Sequence, residues 1–419
     1  MMRNKIIKSV ASLSLLKSLD YLFPLIIIPI ALKALGVALY GVVSYYLSLS
    51  LFYLVIVDFG FNIYGVQKTS LMKNSANIKR FIISSFFIRA LLFTLVVCPA
   101  HILLSYFAPS NMHIGGYEHW LLLIAAFNIF NLQWFFQAKE KFRLMIGISL
   151  SVRLSALLFV YLSVHSDLDV RFYVNALILM YGMPFIFHFI YFFLTYRNIK
   201  MAVVKRKYIF VLFSMSSSIF GYRIANAAIL PWFNYLFGFM MTSTEFGVMS
   251  LIQRIFGAVI NFSAPILQAL IPFFSNLKRN DTTSFSRVYK KSFIYTLISS
   301  VILAFISVVG TYVVIYLEVF GRDISLAQLF PHILIMVAIV PHVINSLQSQ
   351  VLVLNNRRIV VNFAVYSSLI IVVILCMIGF LFKLTSIYFI LFYLITYYFM
   401  SMYLFLGSIK TQWGQKKSS

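Results

Sequence analysis

Charged residues are scarce in this sequence: only 11% of its 419 residues are Asp, Glu, Lys or Arg, whereas 62% are hydrophobic. A soluble globular domain carries about 25% charged residues. A water-soluble chain with so much apolar surface would aggregate, so the composition excludes a soluble protein and indicates the lipid bilayer as solvent. We expect an all-α fold, because the apolar runs are continuous, whereas the strands of a membrane barrel alternate apolar and polar residues.

Residues that carry covalent or metal chemistry are also rare. The two cysteines, Cys98 and Cys376, both lie in apolar segments, which indicates neither a disulfide framework nor a metal site. The sequence has no Walker phosphate loop, no nucleophile motif and no metal-ligand spacing. It also has no large polar loop that could carry catalytic acids. We therefore expect no metal, no cofactor and no enzymatic step.

Long apolar segments fill most of the chain, and each can cross the bilayer, which takes about 20 residues. The first runs past Leu32 without a small-residue cleavage site, so we expect a retained span and not a signal peptide. The expected architecture is a polytopic membrane protein with about twelve transmembrane helices. The predicted spans are 9–33, 38–64, 81–106, 119–138, 144–164, 172–195, 210–236, 246–274, 292–317, 327–352, 360–382 and 386–407.

The formal net charge of +24 reflects a strong excess of Lys and Arg, which could indicate a nucleic-acid partner. Location argues against that partner. The termini and every second loop hold 25 basic residues, and the opposite loops hold four: Lys33, Arg171, Arg322 and Lys383. This positive-inside bias predicts that both termini lie in the cytoplasm and that the number of spans is even. No nucleic acid is needed to explain the charge.

A short motif near the start of the second span returns in the second half of the chain. Tyr40-Gly41-Val42-Val43-Ser44 corresponds to Phe246-Gly247-Val248-Met249-Ser250 at an offset of 206 residues, which also carries Lys17 onto Arg223. The alternative is chance, because the motif is short. A repeat predicts two six-helix lobes, at 1–207 and 208–419, related by an axis along the membrane normal, with a cavity between them.

Several motifs in the first two spans carry a family resemblance. They are Pro24 and Pro29, Leu35-Gly36, Tyr40-Gly41 and Asp58-Phe59-Gly60-Phe61. With them the chain resembles the polysaccharide-transporter branch of the multidrug/oligosaccharidyl-lipid/polysaccharide exporters, and within it the Wzx-type O-antigen flippases. The resemblance implies a flippase of lipopolysaccharide biosynthesis in the bacterial inner membrane. It would move an undecaprenyl-diphosphate-linked oligosaccharide repeat unit from the cytoplasmic to the periplasmic leaflet by alternating access.

The resemblance also implies partners and leaves rivals open. The expected partners are the lipid-linked oligosaccharide as substrate, the surrounding membrane lipids, and the polymerase and chain-length regulator of the same pathway. A lipid II flippase and a multidrug exporter are alternatives within the superfamily, although an exporter of cations would need an anionic cavity. A membrane-embedded polysaccharide polymerase is an alternative from another class, and it would need a large periplasmic loop.

Seven Lys, Arg, Asp or Glu residues fall inside the predicted spans, away from their last residues, where a charge costs about 2.5 to 3.5 kcal/mol on insertion scales. They are Lys17, Asp20, Asp58, Arg89, Arg153, Arg223 and Arg254, with a net charge of +3. Guanidinium groups suit a diphosphate because they bind its oxygens through paired hydrogen bonds. The four arginines of this set are therefore the predicted substrate-binding residues.

Each of these residues also has a structural interpretation. Arg153 lies near the midplane, where reaching the interface is difficult, so a cavity-facing role is favoured. Arg89 is close enough to the cytoplasmic end to extend toward it, and both interpretations of Arg254 stay open. Lys17 and Asp20, three residues apart on one helix, are the predicted structural ion pair.

Asp58 closes the second span and has two interpretations. Its carboxylate could couple transport to a cation or a proton, because it lies at the end of an apolar run. It could equally bind local backbone N–H groups and orient the Asp58-Phe59-Gly60 turn, as aspartate commonly does. We predict it as a candidate ion-coupling residue and keep the structural role beside it.

Overall fold

The structure is a computed structural model, and it describes residues 2–72, 74–197, 205–280, 282–316, 332–355 and 357–415. Over these residues the regular secondary structure is entirely helical, and the predicted all-α class is confirmed. The α-helices are α1 (Met2–Asp58), α2 (Phe61–Leu71), α3 (Ser75–Leu92), α4 (Cys98–Tyr106), α5 (Leu122–Phe127), α6 (Gln133–Ala138), α7 (Phe142–Ser163), α8 (Val170–Thr195), α9 (Arg206–Phe237), α10 (Ser243–Asn280), α11 (Thr282–Tyr316), α12 (Ile339–Leu354), α13 (Arg358–Leu381) and α14 (Ser386–Gln415).

Nine helical segments within the described ranges are long and apolar enough to cross a membrane. One of them, Ser18–Leu71, has 54 residues and contains the first two predicted spans. The predicted spans 210–236 and 246–274 coincide with α9 and α10, which are not among the nine. The structure therefore confirms a polytopic helical membrane protein.

The helices are interrupted at a few defined positions. Gly36 has φ 74° and ψ 166°, which breaks α1 between the first two predicted spans. Phe59 and Gly60, at φ 47° and 83°, form the turn between α1 and α2. A π-helical turn at Phe93–Val97 joins α3 to α4. The predicted span 119–138 is not one helix, because the chain is extended at Asn131 between two short helical segments.

Contacts divide the chain into two compact units, Met1–Gly247 and Val248–Ser419. The first contains α1 to α9 and the start of α10. The predicted lobes 1–207 and 208–419 rest on a repeat in the sequence, which the division by compactness does not test. That boundary stays a prediction.

The repeated glycines contact each other inside the first unit. A Cβ on Gly41 would lie 2.1 Å from the carbonyl oxygen of Ser243, and a Cβ on Gly247 would lie 2.2 Å from that of Val37. The offset of 206 residues that relates the two glycines also relates Val37 to Ser243. The two backbones therefore cross in a symmetric manner at a distance that only glycine permits, as a local two-fold axis would produce.

An aromatic core packs the other end of this unit. Trp134 and Phe81 are buried, with ring centroids 5.3 Å apart at 78°. Gly65 on α2 lies directly against the Trp134 indole, where a Cβ would approach to 2.6 Å. This core fixes α2, α3 and α6 around the turn that follows Asp58.

Candidate functional site

Arg89 and Asp58 meet in the buried interior of the first unit. Arg89 on α3 is 0% exposed and Asp58 at the end of α1 is 2% exposed. One guanidinium nitrogen, Nη2, lies 3.5 Å from Asp58 Oδ1, and the other, Nη1, donates to the carbonyl oxygen of Asn131 at 2.6 Å. The guanidinium carbon is 5.0 Å from the centroid of the Phe61 ring. The pair compensates a cation that would otherwise be costly in the membrane.

The second carboxylate oxygen of Asp58 has a local role. Asp58 Oδ2 accepts the backbone N–H of Asn62 at 3.4 Å, in the first turn of α2. The carboxylate therefore links Arg89 to the start of α2 across the Phe59–Gly60 turn. This geometry brings together two residues that the sequence analysis assigned to different roles, substrate binding and ion coupling.

Two asparagines complete this network, and the sequence analysis did not identify them. Asn131 Nδ2 donates to Asn128 Oδ1 at 2.9 Å, and Asn128 Nδ2 donates to the Leu54 carbonyl at 2.8 Å. The indole of Trp134 donates to the Asn131 carbonyl at 3.0 Å. The available signal was the presence of two amides three residues apart in an apolar span, where polar side chains commonly bind across helices.

Arg153 and Asp20 form a second ion pair in the same unit. Arg153 on α7 is 5% exposed; its Nη2 donates to Asp20 Oδ1 on α1, and its Nη1 donates to the Ser149 carbonyl at 3.2 Å. The Asp20 side chain is 43% exposed, in contrast to the 3% of Asp58. The Arg153 guanidinium thus has one partner from its own helix and one partly exposed carboxylate from α1.

The remaining predicted site residues are described less completely. Lys17 and Arg223 lie on α1 and α9, but their side chains are outside the described part of the structure, so the predicted Lys17–Asp20 pair stays a prediction. Arg254 is half-buried on α10 and belongs to the second unit. Over the described residues no group of three or more His, Cys, Asp or Glu side chains could hold a metal ion.

The long apolar helices and the charges buried among them define a class, a multi-pass helical membrane protein. A family model described as "Polysaccharide biosynthesis protein" matches residues 6–278. The chain therefore belongs to the polysaccharide biosynthesis protein family. No curated protein matches the sequence.

Solved structures share this fold across nearly the whole chain. The lipid II flippase MurJ, in an inward closed conformation, superposes with a TM-score of 0.70 at 14% identity, over 97% of this chain and 89% of that one. An inward-facing multidrug resistance MATE transporter gives 0.61 at 12% identity, over 98% and 99% of the two chains. The eukaryotic MATE transporter AtDTX14 gives 0.57 at 14%, over 99% and 98%. At these identities the likeness shows the fold alone.

Proposed function

We propose that this protein is a flippase for a lipid-linked oligosaccharide, with an undecaprenyl-diphosphate-linked O-antigen repeat unit as substrate. Membership of the polysaccharide biosynthesis family and the exporter fold support this function. The distribution of basic residues supports a bacterial inner-membrane protein with both termini in the cytoplasm. The protein would move the unit to the periplasmic leaflet by alternating access without chemical change, and deliver it to the polymerase and chain-length regulator of the pathway.

The observation that carries this proposal is the unequal burial of the two ion pairs. Arg153 is a buried guanidinium on a membrane-spanning helix, and its carboxylate partner Asp20 is 43% exposed. A diphosphate carries more negative charge than one carboxylate and offers oxygens for the same N–H donors. Substrate can therefore replace Asp20 on Arg153. Arg89 has no such exchangeable partner, because Asp58 is buried with it.

A binding measurement tests this assignment. Native mass spectrometry of the purified protein with undecaprenyl diphosphate should show tighter binding than with undecaprenyl monophosphate. Arg153→Ala should weaken diphosphate binding about tenfold or more, since a hydrogen bond to a charged group contributes about 1.5 to 3 kcal/mol. Arg153→Lys should retain part of the affinity, and Asp20→Asn should increase it because the competing carboxylate is gone.

Arg171→Ala is the matched control, because Arg171 is an exposed arginine that lies over the Phe172 ring at the start of α8. Its affinity should equal that of the wild type. If the Arg153→Ala variant binds the diphosphate lipid as tightly as the wild type and keeps the preference over the monophosphate lipid, Arg153 is not part of the site.

A genetic experiment tests the function itself. Inactivating the gene should trap the lipid-linked unit in the cytoplasmic leaflet and abolish display of the surface polysaccharide. Plasmid-borne wild-type protein should restore display, and the Arg153→Ala variant should restore it poorly at an equal protein level. Normal delivery to the periplasm in the inactivated strain would refute the proposal.

A lipid II flippase is the second candidate, because the fold is shared with MurJ and the substrate would present the same diphosphate to Arg153. Rescue of a strain depleted of its own lipid II flippase, with unchanged surface polysaccharide in the inactivated strain, would favour this candidate. A multidrug exporter is less well supported. Among the described residues, both acids on the predicted spans are already bound to arginines, so neither is available to attract a cationic drug.

A further inference from the structure

Three histidines surround Tyr46 where α4 meets the loop that leads to α5. His101 on α4 is 5% exposed, whereas His113 and His119 are exposed. The Nε2 atom of His101 lies 3.2 Å from Nδ1 of His119, and Nδ1 of His113 lies 3.4 Å from the Tyr46 hydroxyl. The Tyr46 ring has its centroid 6.4 Å from that of His101 and 5.8 Å from that of His119, both nearly edge-on.

A buried carboxylate lies beside these histidines. Glu118 is 1% exposed; its Oε2 accepts the backbone N–H groups of Ile114 at 3.3 Å and Gly116 at 3.0 Å. Its Oε1 lies 3.2 Å from Nδ1 of His113. The Glu118 carboxylate thus places one negative charge directly before His119 in the chain. This charge can compensate one positive charge added to the histidines.

The contact between His101 and His119 can bind one additional proton. Two neutral imidazoles joined through Nε2 and Nδ1 share a single N–H between the facing nitrogens. A hydronium ion of the solvent gives its proton to the one remaining lone pair, on the outer nitrogen of the donating ring, and leaves a water molecule. The charge of the two imidazoles then rises from 0 to +1, and the shared hydrogen bond is kept. A second proton would place a hydrogen on both facing nitrogens and break that bond. The exposed His119 ring gives water access to the buried His101 ring.

The other titratable groups near this contact come from two further helices. Tyr53 on α1 has its ring centroid 5.8 Å from that of His101. Tyr235 on α9 donates its hydroxyl to the Leu104 carbonyl on α4 at 3.1 Å and stacks on Tyr45 of α1 at 6.0 Å. Among the described residues, Tyr46 and Tyr53 have ring contacts with the pair, Glu118 directly precedes His119, and His113 lies beside the Tyr46 hydroxyl. A charge on the imidazoles therefore acts directly on the contacts among α1, α4 and α9.

We infer that His101 and His119 form a proton-binding site that takes up one proton from the loop side, and that this proton provides the ion coupling of transport. The coupling rests on the proposed function, whereas the proton site does not. Asp58, the predicted ion-coupling residue, is less suited to this task. Protonation of its carboxylate would leave the Arg89 guanidinium, which is 0% exposed, without its counter-charge.

Nitrogen NMR of ¹⁵N-histidine-labelled protein in lipid nanodiscs tests the site. The chain has seven histidines, and single variants assign the signals. The His101 and His119 signals should change together in one step that accounts for one proton. In His101→Gln the joint step should be lost, because His119 no longer has an imidazole partner. The control His165→Gln, at an exposed loop histidine, should leave the joint step unchanged. Independent titration of His101 and His119 in the wild type would overturn the site.

Transport of a fluorescently labelled, undecaprenyl-diphosphate-linked oligosaccharide repeat unit in proteoliposomes tests the coupling. A pH gradient should accelerate flipping by the wild type several-fold, and His101→Gln and His119→Gln should each remove this acceleration. Equal acceleration in these variants and the wild type would overturn the coupling. No flipping by the wild type under any gradient would overturn the proposed function and the coupling with it, and the proton site would still be decided by the NMR titration.

Discussion

Replacing Asp58 with asparagine tests how the buried pair of the first unit contributes to stability. The substitution keeps the size of the side chain and an oxygen that can accept the Asn62 N–H, but it removes the negative charge. Arg89 would then be a fully buried cation whose remaining contacts are the Asn131 carbonyl, 2.6 Å from Nη1, and the face of Phe61. The substitution therefore tests only how much the negative charge of Asp58 stabilises the buried Arg89 guanidinium.

The expected loss of stability follows from the geometry. Removing one partner of a buried ion pair costs about 3 to 5 kcal/mol. The separation of 3.5 Å between Arg89 Nη2 and Asp58 Oδ1 is long for an ion pair, and Nη1 keeps its hydrogen bond. We therefore expect the lower end, about 3 kcal/mol, which is about a hundredfold change in the unfolding equilibrium.

Equilibrium unfolding in mixed detergent micelles measures this change. The double variant Asp58→Asn/Arg89→Met should be more stable than Asp58→Asn alone, because it leaves no unpaired charge in the interior. Asp20→Asn is the comparison: it also removes the carboxylate partner of a buried guanidinium, but this pair is the more exposed of the two, so we expect a smaller loss of stability than for Asp58→Asn. If Asp58→Asn unfolds within 1 kcal/mol of the wild type, or if the double variant is the least stable, the reasoning about this pair is wrong.

Two further predictions concern close glycine contacts. In thermal unfolding, Gly41→Ala should destabilise the protein by about 1 to 3 kcal/mol, because its Cβ would lie 2.1 Å from a backbone carbonyl oxygen. The control Gly147→Ala, whose Cβ would have nothing within 4 Å, should be neutral. Equal stability of the two variants would contradict the close contact between the backbones at Gly41 and Gly247. Gly65→Ala should displace the Trp134 indole, whose carbon Cδ2 lies 2.6 Å from the new Cβ, and so shift its fluorescence emission in a variant with the other tryptophans replaced by phenylalanine. An unchanged spectrum would show that the indole does not fill this position.

The fold follows largely from hydropathy, because the bilayer leaves the backbone few options. With no water to satisfy N–H and C=O groups, a continuous apolar run of about 20 residues becomes a helix. Interruptions were harder to predict. The break at Gly36 falls in the predicted loop between two spans, whereas the extended residue Asn131 lies in a run that hydropathy assigns to one helix. There the Asn131 carbonyl binds Arg89 and Trp134, a tertiary requirement that no local pattern reveals.

The buried charges show a different limit of the sequence. An ionisable residue in an apolar run indicates that a partner is needed, and Arg89 and Arg153 both have one. The identity of the partner depends on which helices pack together. The Lys17–Asp20 pair, three residues apart, stays a prediction, and the Asp20 carboxylate also binds Arg153 on α7, 133 residues along the chain. Local spacing indicates the ion pair that an isolated helix would form, and tertiary packing adds partners from other helices that spacing does not include.

The pairing also changes which arginines can serve a substrate. The net charge of +3 inside the predicted spans treats all seven groups as equal, yet Arg89 and Arg153 are each neutralised by an acid in the structure. A neutralised arginine binds a diphosphate only if the acid can leave. Displacing Asp20 would leave a carboxylate whose side chain is 43% exposed, whereas displacing Asp58, at 3%, would leave a buried anion without its guanidinium. Under the proposed function, the same kind of ion pair would therefore stabilise the fold at Arg89 and hold a substrate-binding guanidinium in place at Arg153.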